Sequence, residues 1–195
     1  DYLVIDEFHH AVADSYKRIL EYFKPKFLLG LTATPERLDN EDVFALCDYN
    51  VAYEIRLKEA VNRGELVPFN YYGVYDETVD YDTIDYKNGR YDDRVLEEAL
   101  KINTRADLIL KHYRKYSSTR ALGFCSSKTH AQYMSKYFNE HGIISAAVYS
   151  GEQGQQTENR EVALKKLAEG SLNVIFSVDM FNEGVDVPSI DMVLF

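Results

Sequence analysis

The sequence is short of positive charge: 22 lysines and arginines stand against 32 aspartates and glutamates, a formal net charge of −10. A purely electrostatic grip on a polyanion is therefore not spread over the whole chain. The excess is largely local, because residues 75–100 hold nine carboxylates against Lys87, Arg90 and Arg94, a net of −6. Cysteine is scarce. Cys47 and Cys125 make no metal-ligand spacing and sit in apolar segments, which reads as two buried thiols in a reducing compartment. No apolar stretch approaches the roughly 18 residues that span a bilayer, and no basic-then-apolar amino terminus marks a secretory signal. A soluble cytoplasmic protein without a membrane partner is the expectation. A phosphate-cradling Gly-x-x-x-x-Gly-Lys loop is also missing, since none of the ten glycines is followed by lysine. Asp1 stands where an initiator methionine would, and both ends fall in or beside apolar strands, so an internal piece of a longer polypeptide is expected.

What is present begins at once. Tyr2-Leu-Val-Ile is an unbroken run of strand formers that stops at two adjacent carboxylates, Asp6 and Glu7. Buried parallel strands read as such runs, and in open α/β sheets ligands sit beyond the carboxyl ends of the strands. Mg²⁺ takes oxygen ligands, keeps much of its water and often needs only one or two carboxylates beside substrate phosphates. Asp6 suits the metal, directly or through water, and Glu7 suits orientation of an attacking water. A zinc site from Glu7, His9 and His10 is the alternative, but adjacent histidines diverge on a regular backbone and His-Glu-x-x-His spacing is absent. A second apolar run, Phe27-Leu-Leu-Gly-Leu, leads into Thr32-Ala33-Thr34-Pro35 and carries hydroxyls to another strand end.

These segments carry a resemblance. Asp6-Glu7-Phe8-His9 resembles the Asp-Glu-x-His box, and Leu31-Thr-Ala-Thr-Pro-Glu-Arg37 the Thr-Ala-Thr box, of superfamily 2 helicases and translocases. Leu122-Gly-Phe-Cys-Ser-Ser127 is similar to that family's motif IV, and Val174 to Pro188 to its motif V. The style is that of the motor subunits of type I and type III restriction enzymes and of XPB-like helicases. The resemblance implies ATP and Mg²⁺ as cofactors, with Asp6 holding the metal, Glu7 acting on the water, and His9 coupling the nucleotide to other motifs. It gives Thr32 and Thr34 the relay of lobe movement, and it places Gly184 and Asp186 at the nucleotide, the aspartate facing the ribose. Val178 and Glu183 depart from the threonine and arginine common in RNA-directed relatives, so duplex DNA is the expected partner, in the cytoplasm on the nucleoid. The family's Gln-x-x-Gly-Arg-x-x-Arg box does not occur; the sole Gly-Arg, Gly89-Arg90, lies ahead of motif IV.

The remaining pattern is one of alternating strands and helices, which argues an α/β fold with parallel, helix-covered sheets. With the resemblance it implies two RecA-like lobes, both truncated: residues 1–54 as the end of the first, 55–68 as a linking helix, and 69–195 as the second. Expected elements are strands at 2–5, 27–31, 69–75, 120–124, 143–149, 172–177 and 190–195, with helices near 11–22, 57–63, 128–141 and 157–169. Ser127 and Thr157 are candidate caps, and Gly142 and Gly170 candidate stops. An acidic, tyrosine-rich insert at about 75–92 has a hairpin signal at Asn88-Gly89 and suits a protein partner. Ser126 and Ser127 open a helix, where capping accounts for one hydroxyl and a phosphate contact for both. Ser177 and Asn182 are further candidates for nucleic-acid backbone contact. The rival reading is a catalytically inactive scaffold or docking module, consistent with the missing lysine loop.

Overall fold

In the computed structural model the described residues are 2–35, 42–75, 77, 86–87, 90–91, 95, 103–116, 118–151, 157–181, 185 and 187–195. Within them the chain divides into two compact units, Asp1–Tyr72 and Gly73–Phe195.

The first unit is built on two parallel strands, β1 (Tyr2–Ile5) and β2 (Phe27–Gly30), in register from Tyr2 opposite Phe27 to Ile5 opposite Gly30. A 3-10 turn at Phe8–His10 follows β1, so helix α1 starts later than periodicity predicts, at Asp14, and runs to Phe23. The delay has a packing cause: Phe8, Ala11 and Val12 turn inward and join Ile5 and Val43 in the core. Tyr16 and Leu20 of α1 pack on that cluster, and Lys24 ends the helix in a left-handed conformation. A second 3-10 turn spans Phe44–Cys47, and the short helix α2 covers Leu57–Asn62 with Ala60 inside. Residues 69–75, expected as a strand, form none. The apolar alternation is there, but among the described residues no strand pairs with it, and Val67, Phe69, Tyr71 and Tyr75 are exposed.

The second unit opens with a short antiparallel pair, β3 (Tyr86–Lys87) and β4 (Arg90–Tyr91), flanking Asn88-Gly89. Most of the acidic insert lies outside the described residues. Helix α3 (Asn103–Lys115) precedes β5 (Ala121–Phe124), α4 (Lys128–Glu140), β6 (Ser145–Val148), α5 (Arg160–Glu169), β7 (Val174–Ser177) and β8 (Met192–Leu194). The four strands β5 to β8 form one parallel sheet in the order β6-β7-β5-β8. Side chains alternate across it as the pleat requires. Ala121, Ala147, Val174 and Phe176 meet α3 and α4 through Leu110, Tyr113, Met134 and Phe138 on one face. Leu122, Ala146, Val148 and Ile175 meet α5 through Ala163 and Leu167 on the other. A sheet covered on both faces explains why its central strands are continuous apolar runs.

Local signals set the helix ends. The Ser127 hydroxyl accepts from the His130 amide at 3.0 Å, as a cap should. Asn159, not Thr157, caps α5: its Oδ1 accepts from the Glu161 amide at 3.0 Å, while Thr157 bridges to Ala147. Gly142 and Gly170 both take positive φ just past helix ends, where a side chain would be strained.

Candidate active site

The loop after β1 is held from two sides. The Phe8 amide donates to the Leu31 carbonyl at 2.8 Å and the Leu31 amide to the Ile5 carbonyl at 2.9 Å, extending the β1 and β2 pairing past their strand ends. The Phe8 ring is buried, and it lies where a side chain at position 30 would be: a Cβ there would stand within 3.0 Å of its Cγ, Cδ1 and Cδ2. Only glycine permits this approach. Between Asp6 and Phe8, Glu7 adopts φ 47° and ψ 50°, the left-handed region that costs a non-glycine residue about 1–2 kcal/mol. Its amide donates to Asp6 Oδ1 at 2.9 Å.

Both carboxylates stand at the carboxyl edge of the small sheet, Asp6 exposed and Glu7 half-buried. His9 is largely buried and its Nδ1 lies 3.0 Å from Thr32 Oγ1 and 3.4 Å from Glu7 Oε2. Thr32 Oγ1 also accepts from the Thr34 amide at 3.1 Å. Glu7, His9, Thr32 and Thr34 thus form one polar chain joining the ends of β1 and β2. The His10 ring lies against His9, tilted by 46°, at 4.0 Å between centroids. Among the described residues no three His, Cys, Asp or Glu side chains come together as metal ligands. Asp6 with Glu7 beside it does fit the sparse carboxylate ligation of a hydrated Mg²⁺.

A second set of strand-end groups lies in the other unit. Ser126 and Ser127 follow β5; the Ser126 hydroxyl is 3.4 Å from His130 Nδ1. Ser177 ends β7 and its carbonyl accepts from the Cys125 amide at 2.8 Å. Its side chain is wholly buried, and its hydroxyl has no hydrogen-bond partner among the described residues. Asn182, Gly184 and Asp186 lie outside the described residues. Lys128 did not stand out in the sequence, yet it occupies the first turn of α4 with its Nζ 5.6 Å over the Tyr149 ring and close to Gly151. A cation directly after two serines at a strand-to-helix junction was the available signal. Burial pushes the Cys125 thiol up to about 12, which disfavours the thiolate.

The two Cys-poor units match two family descriptions. Residues 1–37 match the type III restriction enzyme res subunit, and residues 101–195 match the helicase conserved C-terminal domain. The chain is 27% identical over 186 residues to a 51.5 kDa protein of a Lactococcus phage, covering 95% of this chain and 40% of that protein. It is 24% identical over 225 residues to the DNA 3'-5' translocase XPB2 of Sulfurisphaera tokodaii, covering 95% of this chain and 49% of the relative. Over 106 residues it is 28% identical to the ATP-dependent RNA helicase eIF4A of Kluyveromyces lactis, covering 54% and 25%. The chain therefore spans less than half the length of these curated relatives. In fold it resembles Saccharomyces cerevisiae Dbp5 L327V bound to Gle1 H337R and IP6, with a TM-score of 0.50 at 16% identity, covering 98% of this chain and 42% of that one. In its two matched segments, with their parallel, helix-covered RecA-like sheets and the Asp-Glu-Phe-His and Thr-Ala-Thr-Pro boxes, the chain is built like the superfamily 2 helicases and translocases.

Proposed function

We propose that this chain carries part of the engine of a nucleic-acid-dependent ATPase that moves along, or separates, duplex DNA. The observation that carries the reading is the polar chain at the end of β1: Glu7 held in a left-handed conformation beside Asp6, with His9 between Glu7 and Thr32. Asp6 would hold Mg²⁺, directly or through water, and Glu7 would orient the attacking water and receive its proton. The metal, when bound, neutralises charge on the nucleotide phosphates. His9 reports the state of Glu7 to Thr32, and Thr34 shares the same hydroxyl through its amide. Gly184 and Asp186 are assigned to the nucleotide by resemblance. Ser126, Ser127 and Asn182, joined by Lys128, are assigned to the nucleic-acid backbone, where hydroxyls and a helix amino terminus complement basic side chains. An acidic chain can bind DNA in this way because phosphate contacts draw on neutral donors as well as on cations.

The test is ATP turnover by the full-length polypeptide containing this sequence, with duplex DNA, with single-stranded RNA and with neither, alongside Glu7→Gln. The expected result is stimulation by duplex DNA and a loss of about a hundredfold or more in kcat in the variant, with ATP binding kept. Stimulation by RNA alone would move the substrate to RNA. Full turnover in Glu7→Gln would remove Glu7 from the chemistry, and no turnover in any form would favour the inactive scaffold.

A further inference from the structure

Glu7 cannot hold its conformation alone, since nothing in its own side chain favours positive φ. What fixes it is the next residue. Phe8 is pinned at both ends: its amide donates to the Leu31 carbonyl, and its ring lies over Gly30, where no Cβ stands in the way. Gly30 faces Ile5 in the strand register, so the bare position on β2 is directly opposite the last residue of β1. The ring enters a gap in one strand and the chain of the other is thereby forced through the left-handed turn. From these contacts the geometry points to Gly30 as a positioning residue for Glu7, acting through Phe8, and it rests on the proposed role of Glu7 in hydrolysis.

The glycine is not explained by its own backbone. Gly30 is absent from the positive-φ residues, so no dihedral demand requires it. Nor does strand propensity favour it, because glycine weakens a strand interior. Its use lies in the space it leaves. A methyl group at position 30 would meet the ring and push Phe8 outward, and Glu7 is covalently next to Phe8. A displacement of the order of 1 Å in a water-orienting group is enough to cost about a hundredfold in rate.

The experiment compares wild type, Gly30→Ala, Phe8→Leu, Gly30→Ala/Phe8→Leu and Glu7→Gln in the full-length protein, reading kcat, KM for ATP and the unfolding midpoint of each. Gly30→Ala is expected to lower kcat by about tenfold or more while KM for ATP stays within about threefold. The double variant, in which a smaller and more pliable side chain makes room for the new methyl, should recover kcat to within about threefold of wild type. Turnover in Gly30→Ala equal to wild type, or a drop that the double variant does not reverse, would overturn the proposal. If Gly30→Ala does not fold, the double variant still decides: near wild-type kcat supports the ring-in-gap device, and a kcat like that of Glu7→Gln rejects it. Should Glu7→Gln itself turn over normally, the hydrolytic role of Glu7 fails instead, a result distinguishable from both.

Discussion

The two units spend their apolar surface differently. In the second, the sheet is covered on both faces, Phe138 is completely enclosed, and its ring meets Tyr113 and Phe176 edge-on at 5.5 and 4.9 Å between centroids. In the first, two strands and one helix enclose a small core, while Tyr2, Tyr22, Phe23 and Phe27 are left exposed. The acidic box nevertheless sits in this sparser unit, strained backbone included. Strain of that kind persists only where surrounding contacts over-determine it. A small core is enough when a few specific contacts, here the Phe8 ring and two amide hydrogen bonds, do the fixing.

The largest test of this contrast sets Phe138→Ala against Tyr22→Ala. The first should cost about 3–5 kcal/mol, because a cavity opens among aromatic neighbours. The second should fall within about 0.5 kcal/mol of wild type, since an exposed side chain has little to lose. Urea denaturation of each variant measures both; equal costs would mean that the exposed face of the first unit is covered in solution.

A smaller effect is expected at Asp191, which ties the start of β5 to the approach of β8. Its carboxylate accepts from the Ser118 hydroxyl, the Thr119 amide and hydroxyl, and the Arg120 amide, at 2.7 to 3.1 Å. Burial raises its pKa, but the donated hydrogen bonds outweigh that and hold it below the usual 3.8. Because the folded pKa is the lower one, its stabilisation is complete above the unfolded value and is lost as pH falls through the folded value. Asp191→Asn should cost about 1–1.5 kcal/mol at pH 7, discounted for the exposed side of the group, and the gap to wild type should close below about pH 4. A gap independent of pH would assign the loss to shape rather than charge.

The smallest effect has the opposite sign. Ser177→Ala removes a buried hydroxyl that has no partner among the described residues and should stabilise the second unit by up to about 1 kcal/mol. If thermal unfolding shows a loss instead, the hydroxyl is satisfied by an internal water. If stability rises while DNA binding falls, Ser177 is kept for function despite its burial.

How much of this was legible beforehand depended on whether a feature was local. The run Tyr2 to Ile5, the stop at Asp6, the Ser127 cap and the glycine stops at 142 and 170 are written in adjacent residues, and each occurs where the sequence placed it. The segment 69–75 has the right alternation but forms no strand, because pairing is a property of two segments and only one could be read. Thr157 lost the cap to Asn159 for a similar reason: both are good caps, and the bridge to Ala147 decided between them. The left-handed Glu7 could not be foreseen from Asp-Glu-Phe-His itself. Its cause sits more than twenty residues away at Gly30, and the one visible clue was a glycine interrupting an apolar strand. The second sheet repeats the device without a charged neighbour, for a Cβ at Gly123 would strike the Phe176 ring on the adjacent strand.

The strand order of the larger sheet has a consequence for the newly made chain. Ala121 of β5 pairs with Val174 on one side and with Met192 on the other, so the first strand synthesised must wait for the last two. Only β6 and β7, joined through α5, are neighbours both in sequence and in space. They form the smallest piece that can zip early, and β5 with its two helices has to be inserted beside it afterwards. Long-range closure of this kind is slow and leaves strand edges open meanwhile. During translation, then, β5 emerges well before either of the strands that pair with it.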